Sequence, residues 1–102
     1  MTGRAVHISA EAKDEIAQTF AYIARESSPI AAARWLDGLD ELFQSLLEMP
    51  GRFAIAPEDQ YFPYGVVRRA LYHQHRVLFT VEPGGVRILH VRHGMRDELQ
   101  DF

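Results

Sequence analysis

Apolar residues recur along this chain at two intervals, and the interval changes mark its elements. Around His7 the segment Arg4–Ile8 alternates, with Val6 and Ile8 at period two, which predicts a short strand. From Ala10 to about Arg25 the apolar stripe Ala12, Ile16, Phe20 and Ile23 has helical spacing, opposed by Glu11, Asp14, Glu15 and Gln18. Ser9 stands where an N-cap belongs, and the early acids suit the positive end of the helix dipole. Ser28 then Pro29 repeat the start signal, since a first-turn proline loses no hydrogen bond and already has a helical φ. The second helix is expected to run to about Met49, presenting Trp35, Leu36, Leu39, Leu42, Phe43, Leu46 and Leu47 on one face, and Pro50-Gly51 stops it. The short Glu26–Ser28 link makes an antiparallel helix hairpin.

Beyond a long loop, Arg52 to Pro63, three period-two segments follow: Tyr64 to Tyr72, His75 to Glu82 and Val86 to His93. Pro83-Gly84-Gly85 predicts a tight hairpin between the last two. In the middle strand Val77, Phe79 and Val81 share one face, and Arg76, Leu78 and Thr80 the other, so one side is core and the second is mixed and partly open. The order β-α-α-β-β-β defines an α+β domain in which a short strand and a helix hairpin pack on a small antiparallel sheet. Gly38 breaks the pattern, since a mid-helix glycine costs about 1 kcal/mol relative to alanine. A close approach is expected there, most simply of the first helix.

Length leaves room for a single domain over residues 1–102. Cysteine is absent, which excludes disulfides and thiolate metal sites. The amino terminus has no apolar run of signal-peptide length and no segment approaches a membrane span, so a soluble cytoplasmic protein is expected. The formal charge of −3 conceals strong polarity. Six of the ten arginines lie between Val66 and Arg96 with Glu82 as the sole acid there, a local charge of +5, whereas residues 1–65 carry −5. Arginine grips carboxylate or phosphate bidentately and stacks on rings, so this stretch is the place to seek function.

Arg68, Arg69, Arg76, Arg87, Arg92 and Arg96 could together hold a polyanion or an acidic protein segment, although basic side chains on strand edges also deter sheet-to-sheet association. Arg87, beside the hairpin, suits that second role. Arg76 lies mid-strand among apolar neighbours, where an unpaired charge is costly, and therefore needs a partner or a ligand. His73, His75, His90 and His93 lack a carboxylate or cysteine cluster to complete a metal site, so no metal and no cofactor are expected. His90 or His93 could act as a general acid or base, since imidazole titrates near neutrality.

Several segments together carry a family resemblance: Ala12-x-Asp14-x-Ile16 with Tyr22-Ile23-Ala24, the Ala/Leu-rich second helix closing in Pro50, His75-Arg76-Val77-Leu78-Phe79, and Ile88-Leu89-His90-Val91-Arg92-His93 followed by Arg96-Asp97. Over essentially its whole length the chain resembles the RelE/ParE superfamily of toxins from type II toxin-antitoxin modules. RelE-like members are ribosome-dependent ribonucleases. By that resemblance Arg76 and Arg96 match the arginines that hold the scissile phosphate, and a nuclease here would use them with a histidine, His93 being the candidate. Phe102 falls at the tyrosine position, however, and offers no hydroxyl for proton transfer. The RelE-type lysines also have no counterpart, since the segment reads Val67-Arg68-Arg69.

The histidine ending the last strand, with Arg96-Asp97 after it, looks more like the ParE branch, whose members inhibit DNA gyrase and are not thought to be nucleases. The resemblance implies a binding inhibitor, neutralised by a ParD-like ribbon-helix-helix antitoxin whose flexible tail folds around the toxin. It also implies a hetero-oligomer with that antitoxin, contact with operator DNA only through it, and no membrane association. The residues expected to meet antitoxin or target are Trp35, Arg68, Arg69, Arg76, His90, Arg92, His93, Arg96 and Phe102. A carboxylate of the tail is expected to partner Arg76. The alternatives are a ribosome-dependent messenger RNA endoribonuclease of the RelE type and a non-toxic partner that only binds antitoxin.

Overall fold

The computed structural model describes residues 4–63 and 65–94. Strand β1 spans Ala5–Ile8, helix α1 Ala10–Glu26, helix α2 Pro29–Ser45, strand β2 Val67–Tyr72, strand β3 His75–Glu82 and strand β4 Gly85–His93. Both caps act as expected. The Ser9 hydroxyl oxygen accepts the Ala12 N–H and that of Ser28 accepts the Ala31 N–H, each 3.0 Å away. Helix α2 stops four residues short of the expected Met49. Although Leu46 and Leu47 continue its apolar face, the Ser45 hydroxyl donates back to Leu42 O, and Met49 turns the chain with φ 48°. Leu46 is fully buried all the same, so the stripe outlasts the helix.

The α+β order is as expected. The sheet runs β1-β4-β3-β2. β2, β3 and β4 form an antiparallel meander, while β1 joins β4 in parallel, with Ala5 to Ile8 opposite Gly85 to Ile88. Gly85 admits that pairing. Its φ is +146°, and a Cβ there would lie 1.9 Å from Ala5 O. The helix hairpin covers one face of the sheet, where Ala12, Trp35, Leu39, Phe43 and Leu46 meet Ala70, Val77, Phe79, Val86, Ile88 and Val91.

The second face is less open than its mixed pattern suggested. The segment between α2 and β2 forms two 3-10 turns, Pro50–Arg52 and Pro57–Tyr61, and folds back over the sheet. Ala56 packs there with Val67, Leu78 and Leu89 as a second small core, with Phe62 against it. This segment also covers the start of the β2 edge: Ala56 N–H donates to Val67 O and Arg69 N–H to Ala54 O. Gly38 does meet a close neighbour, but from β2 and not from α1. A Cβ at Gly38 would lie 2.2 Å from the Tyr72 hydroxyl, which donates to Trp35 O at 2.7 Å. The glycine makes room for a tyrosine that ties strand to helix.

Candidate functional site: a histidine cleft beside two locked arginine clusters

The residues expected to form a single basic surface separate into three groups. In the first, Arg76 donates from both terminal nitrogens to the Glu58 carboxylate, at 2.5 and 2.6 Å, with side-chain exposures of 3% and 0%. The partner that Arg76 required is thus internal and comes from the Pro57–Tyr61 turn, which corrects the expectation of an antitoxin carboxylate at this position. A buried guanidinium held bidentately by a carboxylate is neutralised where a phosphate would otherwise sit. Arg68 likewise holds the covering segment, donating to Phe53 O at 2.7 Å. Arg69 lies half-buried on the same strand.

The second group seals a strand edge. β1 pairs β4 only as far as Ile88, and a register shift opposite Leu78 and Phe79 leaves Leu89 as an extra residue. From that point α1 takes over. Ser9 N–H donates to Ile88 O and the Ser9 hydroxyl to Leu89 O, both at 2.9 Å, while Glu15 Oε1 accepts Val91 N–H, also at 2.9 Å. The Glu15 carboxylate also faces His90 Nδ1 at 3.3 Å and accepts from Arg92 at 3.2 Å. Burial pushes the Glu15 pKa up, but hydrogen bonds from His90 and the Val91 N–H outweigh it, and the net shift is downward. His90 and Arg92 are therefore engaged in sealing the edge. At the far end of β4, Arg87 pairs with Glu82, which His7 also approaches at 3.2 Å; β4 lies between β1 and β3, so Arg87 does not stand on a sheet edge as expected.

The third group brings Trp35 and His93 together. A cleft of about 720 Å³ lies between the helix hairpin and the β2–β3 turn, walled by Tyr22, Ile23 and Trp35 and rimmed by His73, His75 and His93. The rings of Trp35 and His75 lie 5.4 Å apart, and those of His75 and His93 5.3 Å. His93 Nε2 meets Gln74 Oε1 at 3.2 Å. Burial lowers the His75 pKa first, and the neighbouring charges of His93 and His73 lower it further, outweighing the nearby Tyr72 backbone, which pulls it up. Among the described residues, Trp35 Nε1 and His75 Nδ1 are buried with no hydrogen-bond partner. Each such orphan costs roughly 1–3 kcal/mol, so the pair marks a place where the fold is not optimised for itself.

Tyr22, Ile23, His73 and His75 line the cleft but are not among the expected binding residues, and His75 is the most buried imidazole of them. Its alternation with Val77 and Phe79 put it on the helix face, which was the available signal. Arg96 and Phe102 lie outside the described residues. Among the described residues no group of three or more histidine, cysteine or acidic side chains is placed to hold a metal ion, and no helix is long and apolar enough to cross a membrane.

The fold is thus a strand, a helix hairpin and a three-stranded meander, with the first strand returning beside the last. The family model described as the ParE toxin of the type II toxin-antitoxin system, parDE, matches residues 6–98. The chain belongs to the ParE toxin family. Among solved structures it is similar to a chain of the chromosomal ParDE TA system from P. aeruginosa, with a TM-score of 0.72 at 15% identity, covering 90% of this chain and 97% of that one. At that identity the likeness speaks for the fold. No curated protein matches.

Proposed function

We propose that this ParE-family toxin acts by binding and inhibiting DNA gyrase, without catalysis, and is neutralised by a ParD-like ribbon-helix-helix antitoxin encoded beside it. The observation that carries the reading is the Arg76–Glu58 pair. A nuclease of the RelE type needs the central-strand arginine free to hold a scissile phosphate, and here a carboxylate from the same chain occupies its fork inside a second core. Phe102 at the tyrosine position points the same way, because a phenyl ring cannot transfer a proton. The toxin would then work by occupying a surface of its target. The antitoxin would form a hetero-oligomer with it and supply all contact with operator DNA, and a gyrase target places the toxin in the cytoplasm.

Purified chain should inhibit gyrase supercoiling and promote gyrase-dependent DNA cleavage, and added antitoxin should reverse both. Undisturbed supercoiling at saturating chain refutes the proposal. Codon-registered cuts, seen by primer extension on messenger RNA from expressing cells, would replace it with the ribonuclease.

A further inference from the structure

Among the described residues, the cleft beside the helix hairpin gathers imidazoles without an acidic counter-ion. Trp35 and His75 are each more than nine-tenths buried, yet among the described residues each keeps a ring nitrogen without a hydrogen-bond partner. The titratable groups around His75, among the described residues, are imidazoles and phenols. β4 brings His93, the β2–β3 turn His73, and the end of β2 Tyr72, while α1 lines the cleft with Gln18, Thr19 and Tyr22. The acids of α2 on this side, Asp37 and Glu41, act on Tyr72, and no carboxylate among the described residues lines the cleft. The walls are apolar, and the volume is that of a pocket which buries a few side chains.

We propose that this cleft receives an acidic anchor from the partner: an apolar side chain laid against Trp35 and Ile23, with an adjacent aspartate or glutamate paired to the imidazoles of His75 and His93. The occupant rests on the reading of the chain as an antitoxin-bound toxin, and charge complementarity selects it. Arg76 already holds Glu58 and Arg92 already holds Glu15, whereas among the described residues no acid lines the cleft, so its imidazoles can take up charge when a carboxylate is brought beside them.

Docking is then linked to protons. In the free chain, burial and two neighbouring imidazoles hold His75 neutral at pH 7. A carboxylate brought alongside favours the imidazolium, so the complex binds more protons than its separated parts and affinity rises as pH falls.

The test uses the full chain and a synthetic peptide copying the carboxy-terminal half of the adjacent antitoxin. Trp35 is the sole tryptophan, so its fluorescence and indole N–H resonance report the cleft directly. Between about pH 8 and about pH 6 the peptide should bind at least about threefold more tightly and take up protons, measured by calorimetry in buffers of different ionisation heat. His75→Gln should flatten that dependence, and His93→Gln should reduce it. An unchanged pH slope in folded His75→Gln overturns the proposal. If that variant does not fold, the wild-type chain decides: peptide binding with no change in the Trp35 indole or His75 ring resonances overturns it equally. Peptide binding and gyrase inhibition with an undisturbed cleft remove this inference alone. Failure of both peptide and intact antitoxin to bind removes the antitoxin-bound reading with it.

Discussion

Breaking the Arg76–Glu58 pair is the most informative single perturbation of the fold. Both side chains are essentially excluded from water and joined by two short charge-assisted hydrogen bonds. Removing one partner leaves the other's charge buried without its bidentate match, which costs about 3–5 kcal/mol. Total stability for a domain is about 5–15 kcal/mol, so Glu58→Leu or Arg76→Met alone should consume a large share of it. At roughly 4–8 °C per kcal/mol, either change should lower Tm by at least about 12 °C. The double variant should be markedly more stable than the sum of the two losses implies, because apolar groups of similar volume can replace a buried ion pair at little net cost. Urea and thermal unfolding of the four proteins give the coupling energy. Additive losses, or single losses below about 1 kcal/mol, would show that the pair does not hold the Pro57–Tyr61 turn to the sheet.

Gly38→Ala should lose about 1–3 kcal/mol by chemical denaturation despite alanine's better helix propensity, because the new methyl group meets the Tyr72 hydroxyl; adding Tyr72→Phe should recover part of the loss. The folded-state pKa of Glu15 is lowered, so its contribution is fully present above the ordinary glutamate value and is lost as pH falls through the lowered one; Glu15→Gln should flatten the stability profile in that acid window, followed by circular dichroism. Ser28→Ala should cost about 1 kcal/mol as a lost N-cap. Ser9→Ala should cost more, since its hydroxyl also donates to Leu89 O, and equal losses would deny that second bond.

The helices, the strands and most boundaries were legible because their signals are local: Ser9, Ser28 and Pro29 open helices, and β3 begins and ends at the predicted residues His75 and Glu82. What escaped depends on chain segments distant in sequence. Nothing near Glu58 marks it as the partner of Arg76, although the cost of burying Arg76 announced that some partner was required. The same holds for Gly38, whose neighbour Tyr72 lies on another element, and for Glu15, which resembles any polar residue of an amphipathic helix until α1 is seen beside an unpaired stretch of β4. Within the candidate site, charge drew attention to the arginines, whereas those at 68, 76, 87 and 92 spend their forks on the fold. The cleft is assembled by aromatic and imidazole rings from both helices, the β2–β3 turn, β3 and β4, and residue-by-residue charge could not indicate it.

The parallel contact of β1 with β4 also sets a schedule for synthesis. β1 is made before both helices, the covering segment and two other strands, yet the strand it pairs with follows them all. While β4 is still unmade, β1 has no neighbour, Gly85 has not received Ala5, and the apolar side of the helix hairpin lacks half of its sheet. Such non-local pairing closes late and slowly. The histidine cleft therefore exists only once His93 has been added and β4 has paired with β3, because that strand forms its rim.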